Sequence, residues 1–200
     1  MRKLGFFGGA FNPPTFAHIE LAKHAYEVCN LNQVFFVPVG NQYQKEELID
    51  EWHRYHMLEI VCQPYQQLTV SDIELGKKRS YTAIEVFELI AKEYPNDELH
   101  FIMGADNFLQ LPKWNRAEDL IRDYRFIILE RNTELSVLDI IKNNSLLNQY
   151  QSHFQIIDWL EYKGINSKEV REKIKKKQNV SNFILKDVWN YIKSNHLYRI

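Results

Sequence analysis

Cysteine is nearly missing from these 200 residues: there are two, Cys29 and Cys62, with no Cys-x-x-Cys pair and no spacing of the metal-binding kind. That argues against a disulfide framework or a zinc ribbon. Both thiols fall inside segments that read as helices and are expected to be reduced packing residues of a cytoplasmic protein. An excess of charge is lacking too. Lys and Arg number 25 against 26 Asp and Glu, so the formal net charge is -1 and there is no electrostatic footprint for nucleic acid. A small-molecule partner is favoured. No apolar run approaches the ~20 residues of a membrane span. Arg2 and Lys3 open the chain with basic charge, but glycine and proline follow long before the apolar core of a signal peptide could form. Repeats, linkers and low-complexity segments are absent as well, so residues 1–200 are expected to form a single domain. A hydrophobic content of 45%, with 14% aromatic residues, is ample for the core of one α/β unit.

The informative stretch is residues 3–18. Leu4, Phe6 and Phe7 read as the end of a buried strand, and Gly8 and Gly9 are expected to let the backbone turn sharply and approach a ligand with no Cβ in the way. Pro13 and Pro14 forbid a helix until Thr15, whose side chain is placed to cap a helix beginning near Ala17. A strand, a glycine turn and a helix N-terminus together aim backbone N–H groups and the positive end of a helix dipole at an anion, most often phosphate. His18 follows Thr15 by three residues, so both side chains face one spot on the first turn. Taken singly, each residue also reads as a plain turn or cap.

Further along, Leu21, Ala22, Ala25 and Val28 mark the inner side of the first helix, and Val34 to Val39 is a strand buried on both faces. The opening is therefore a βαβ unit. The expected fold is α/β: a Rossmann-like doubly wound parallel sheet of five to six strands with a small C-terminal helical part. Lys45 lies in a polar loop at a strand's C-terminal end, where such sheets bind ligands, and reads either as a phosphate-reaching charge or as a solvated lysine. Residues 51–61 suggest a helix with Trp52, Tyr55, Leu58 and Ile60 inward. After a strand at Leu68 to Val70, Ser80 and Thr82 are both N-cap candidates for a helix burying Ile84, Phe87, Leu89 and Ile90. The strand at 99–103 runs into Gly104 and Asp106, the latter suited to a ribose hydroxyl, a metal-bound water or a helix cap. Trp114 in the following loop either plugs the core or offers a flat face to an aromatic ring. A short helix at 117–123 and a strand at 125–130 lead to Arg131, a candidate phosphate ligand; Leu135, Leu138 and Ile141 suggest a helix. A strand at 154–157 precedes Gly164, the capping-box pair Asn166 and Glu169, and a last helix burying Val188, Trp189 and Ile192.

The run Gly8-Gly9-Ala10-Phe11-Asn12-Pro13 leading to Thr15 and His18 resembles the signature of the nucleotidylyltransferases related to class I aminoacyl-tRNA synthetases, and among them the nicotinate-nucleotide adenylyltransferases. In those enzymes Gly-Gly-x-Phe-Asp/Asn-Pro precedes a His/Thr-x-x-His pair. The strings His53 to Leu58, Ser80-Tyr81-Thr82, Gly104-Ala105-Asp106 with Trp114, Gly164 to Arg171, and Tyr191 to Tyr198 carry the resemblance along the chain. It implies adenylyl transfer from ATP, with its Mg²⁺, to nicotinate mononucleotide, by a monomer or homodimer that contributes no identified metal ligand. By the same resemblance His18, Thr15 and Lys45 are catalytic, and Gly8, Gly9, Ala10, Phe11, Gly104, Asp106, Ser167 and Arg171 bind ATP. Ser80, Tyr81, Thr82, Trp114 and Arg131 would hold the pyridine nucleotide. Asn166 and Lys168 replace a Ser and a Thr of the family pattern, which removes a hydroxyl donor from the phosphate site. The alternatives are a sibling transferase acting on phosphopantetheine or another phosphate acceptor, and a nucleotide-binding paralogue without turnover.

Overall fold

The computed structural model describes residues 1–130, 136–158 and 165–198, so Arg131, Leu135 and Gly164 lie outside the described residues. The chain runs β1 (Lys3–Gly9), α1 (Phe16–Val28), β2 (Gln33–Pro38), α2 (Glu51–Cys62), β3 (Leu68–Val70), α3 (Ala83–Glu93), β4 (Glu98–Gly104) and α4 (Ala105–Gln110). A 3₁₀ turn (Leu111–Lys113) leads to α5 (Ala117–Asp123), β5 (Arg125–Glu130), α6 (Val137–Lys142), α7 (Ser145–Gln149), β6 (Phe154–Asp158), α8 (Ser167–Lys175) and α9 (Lys186–Ser194). Among the described residues six strands form one sheet in the order β3-β2-β1-β4-β5-β6, every pairing parallel.

The strands are apolar on both sides because both sides are covered. Side chains alternate between two layers: Leu4 and Phe6 against Phe7 on β1, Phe126 and Ile128 against Ile127 and Leu129 on β5. Helices α1, α2, α8 and α9 cover one face, and α3 to α7 cover the other. The change of face comes at α3, between β3 and β4. Connections from the adjacent strands β1 and β4 therefore leave in opposite directions, and a crevice opens at their C-terminal ends.

Several helix faces differ from the pattern of apolar residues: Val28 at the end of α1 is 46% exposed rather than inward, and Leu89 on α3 and Trp189 on α9 are only half-buried. On α2, Trp52 is 46% exposed and Tyr55 and Ile60 are half-buried, while the inward face is Glu51, Arg54, Met57, Leu58 and Val61. The spacing is helical, but the first turn meets polar backbone at the strand ends rather than hydrocarbon, so charged residues point in. Met57, Leu58 and Val61 further along enter the core, each worth about 1.5–3 kcal/mol of burial. Leu138 is likewise 56% exposed, and α6 buries Val137 and Ile141 instead. The cap of α3 is Thr82 rather than Ser80. Asn166 caps α8, its side chain accepting from the Glu169 N–H at 2.9 Å. Burial pushes the Cys29 thiol up to about 11 and that of Cys62 up to about 12, as befits inert packing residues.

Candidate active site

A cleft of about 720 Å³ lies over the C-terminal ends of the central strands, floored by Gly8, Gly9, Val37, Met103 and Gly104. It sits at the switch between β1 and β4, where the topology alone places a ligand. Of the residues singled out from sequence, Gly8, Gly9, Ala10, Phe11, His18, Lys45, Tyr81, Thr82, Gly104, Asp106 and Trp114 line it. Thr15 is fully buried behind His18, and Ser80 is exposed and contributes no lining surface.

The glycine pair does not make the turn. Gly8 and Gly9 complete β1, and the left-handed residue is Phe11, with φ 46°. Gly9 serves close packing instead: a Cβ there would lie 2.9 Å from the Phe11 ring. A left-handed phenylalanine costs roughly 1–3 kcal/mol, an amount that burial of its ring can offset. That ring is 2% exposed, packed edge-on against Phe7, Phe36 and, at 5.1 Å between centroids, His18. The strained residue thus builds the seat for the histidine.

Thr15 then orients His18. Its backbone N–H donates to His18 Nδ1 at 3.0 Å, and its hydroxyl lies 2.9 Å from the same nitrogen while accepting the His18 N–H in a reciprocal cap. Two donors converging on Nδ1 make it the acceptor, which puts the ring proton on Nε2. His18 is therefore held as an Nε2–H donor in the cleft wall. A threonine at position 15 suffices for this.

Lys45 and Tyr43 reach the cleft on a strap between β2 and α2, and buried charges hold that strap. Arg54, 0% exposed, donates to the carbonyls of Ile49 (3.0 Å), Ala10 (3.0 Å) and Val39 (2.5 Å). It ties the glycine loop to both ends of the strap. Burial holds its guanidinium below the usual arginine range, opposed by nearby Tyr198, Glu51 and Asp50. Buried Glu51 accepts the N–H groups of Asn41 and Gly76, joining the strap to the loop before α3. Gly40 is required beside it, since a Cβ there would lie 2.6 Å from the Glu74 carbonyl. Asn12 completes the hold: its amide donates to the Glu47 carbonyl at 2.8 Å, and its side-chain oxygen accepts from the Tyr198 hydroxyl at 2.9 Å.

Ser167 and Arg171 stand behind the loop. Ser167 Oγ donates to the Pro13 carbonyl at 2.8 Å, and Arg171 donates to the Asn12 carbonyl at 2.9 Å and to the Glu47 carboxylate at 3.2 Å. Lys175 also pairs with Glu47, and Lys175 and Arg171 hold the Glu47 carboxyl below its ordinary value. Helix α8 is thereby docked onto both the signature loop and the Lys45 strap.

On the opposite side, Tyr81, Thr82, Phe101 and Trp114 form an aromatic wall at the N-terminus of α3. Trp114 is half-buried, tilted over Phe101 at 6.1 Å while facing the cleft, so it both packs and presents a flat surface. Glu74 lines the cleft as well, and burial pushes its carboxyl up to about 7, opposed by the Arg54 charge. Glu47, Glu51, Glu74 and the inward course of Arg54 escaped the sequence reading. Asp50, which caps α2 by accepting from the Trp52 N–H at 3.0 Å, is the local signal that marks that helix start.

Residues 6–173 match a family model described as cytidylyltransferase-like. A protein named "Probable nicotinate-nucleotide adenylyltransferase" from Carboxydothermus hydrogenoformans is 37% identical over 199 residues, covering 98% of each chain. The nicotinate-nucleotide adenylyltransferase of Bacillus subtilis is 28% identical over 200 residues, covering 99% of each. Among solved structures, Plasmodium falciparum nicotinic acid mononucleotide adenylyltransferase complexed with NaAD is similar in fold, with a TM-score of 0.81 and 20% identity over 99% of this chain and 98% of that one.

Proposed function

Because the chain belongs to the cytidylyltransferase-like family, and within it to the nicotinate-nucleotide adenylyltransferases, we propose that it transfers the adenylyl group of ATP to nicotinate mononucleotide. A phosphate oxygen of the mononucleotide attacks the α-phosphorus, the bond from the α-phosphorus to the bridging oxygen breaks, and pyrophosphate leaves. Mg²⁺ arrives with ATP as part of the substrate and neutralises the leaving group. This reading places the reaction in the cytoplasm.

The observation that carries the reading is the fixed Nε2–H of His18 at the switch crevice, facing an aromatic wall. Transfers of this kind need positioning and charge neutralisation more than a protein nucleophile. His18 donates to the charge that grows at the α-phosphate, Lys45 reaches the phosphates from the strap, and the Gly8 to Phe11 backbone lies beneath them. Asp106 takes the ribose. Ser167 and Arg171 act by clamping the loop, and Arg171 and Lys168 lend positive charge, which makes the missing hydroxyl at Lys168 tolerable. Tyr81, Thr82 and Trp114 receive the pyridine, and Ser80 stays outside the contact.

Pyrophosphate release is the test, run with ATP and nicotinate mononucleotide, nicotinamide mononucleotide or phosphopantetheine. Release with nicotinate mononucleotide, and none with phosphopantetheine, is expected. Release with phosphopantetheine alone would reassign the acceptor, and none with any acceptor would make the chain a binding paralogue. Trp114→Ala should raise the KM for the pyridine nucleotide about tenfold, the usual scale for a lost stacking face, with the KM for ATP within about twofold. Equal rises in both would make Trp114 a core residue.

A further inference from the structure

Both donors of Thr82, the cap of α3, are already in use. Thr82 donates to Glu85 Oε2 through its backbone N–H at 2.9 Å and through its hydroxyl at 3.0 Å. Arg79 donates to the same carboxylate, to Oε2 at 3.0 Å and Oε1 at 2.6 Å, and its guanidinium lies 4.6 Å from the Tyr81 ring centroid. Thr82 and Tyr81 both line the cleft, on the same wall as Trp114. A cleft-facing helix N-terminus that would otherwise attract an anion thus carries an internal one.

Resting on the pyridine-site reading above, we propose that Glu85 is a specificity-determining residue. It competes with the ring carboxylate of the substrate for Thr82 and so sets the preference between acidic and amide pyridine nucleotides. A ring carboxylate reaching Thr82 meets a like charge across the same two donors, which weakens its binding. A ring carboxamide carries no charge and escapes that repulsion. Arg79 makes the competition adjustable: because it bonds both oxygens of Glu85, the carboxylate can give up Thr82 and remain paired. Arg79 and then Thr82 hold the Glu85 carboxyl at about 2, so the competing charge persists across the working pH range.

The test compares kcat/KM for nicotinate and nicotinamide mononucleotides, at saturating ATP, in the wild-type chain, Glu85→Gln and Arg79→Gln. Glutamine keeps an acceptor for the helix cap and removes the charge. The acid-to-amide ratio should rise about tenfold in Glu85→Gln, through the KM for the acid. It should fall in Arg79→Gln, where Glu85 loses its alternative partner. A ratio within about twofold of wild type in both variants, or a fall in Glu85→Gln, overturns the proposal. Calorimetric titration with nicotinate mononucleotide separates this from the reaction itself. If the wild-type chain turns over neither nucleotide, the transferase reading fails, yet tighter binding of the acid by Glu85→Gln still supports the competition and unchanged binding still refutes it.

Discussion

Replacing His18 by alanine should lower adenylyl transfer at least about a hundredfold, and up to about a thousandfold, the cost of removing one preorganised donor to developing charge. The loss should fall on kcat, because the donor matters most where negative charge builds during the transfer. The fold should survive. His18 is half-exposed, and the substitution gives up one turn of capping interaction, worth ~1 kcal/mol, without opening a core cavity. Pyrophosphate release measured beside a denaturation curve distinguishes a chemical defect from a folding one. Turnover near the wild-type rate in a folded His18→Ala chain would remove the histidine from the mechanism. Thr15→Val refines the assignment: it keeps the backbone donor to Nδ1 and deletes the hydroxyl one, so a smaller loss is expected.

Arg54→Met should destabilise the chain by roughly 3–5 kcal/mol, the range for stripping a buried charge from its partners. Three carbonyls, of Ala10, Val39 and Ile49, lose their shared donor in a site with no solvent access. Each is left partly unsatisfied, and the apolar replacement recovers only the packing of the stem. Arg54→Lys should recover part of this, since an ammonium cannot span three carbonyls with the fork of a guanidinium. Activity should fall more than stability alone dictates, because Ala10 lines the cleft and the strap carries Lys45. Equilibrium denaturation of both variants checks the claim, and a change below about 1 kcal/mol in Arg54→Met would make the three bonds energetically idle.

Much of the fold was legible because local patterns and tertiary demands agree. The apolar runs of β1, β2, β4 and β5 mark strands covered on both faces, and the proline pair followed by Thr15 marks where α1 begins. The site was legible where its residues lie close along the chain, as Thr15 and His18 do. It was not where partners come from afar. Nothing near Arg54 in sequence indicates that Ala10 and Val39, 44 and 15 residues away, turn carbonyls toward it, and a charged residue on an amphipathic helix is read as outward. The same limit applies to Glu47, 124 residues from Arg171.

The sequence by itself determined the alternation of strand and helix, the parallel sheet, the cap at Thr15 and the family, because each depends on short-range periodicity or on a contiguous string. Tertiary structure alone decided that Phe11 rather than a glycine takes the left-handed turn, that α2 turns Arg54 inward, and that Arg171 reaches the Asn12 carbonyl. Those outcomes depend on which polar groups the folded backbone leaves facing one another in space, and a buried donor or acceptor takes the nearest partner there whatever the separation along the chain.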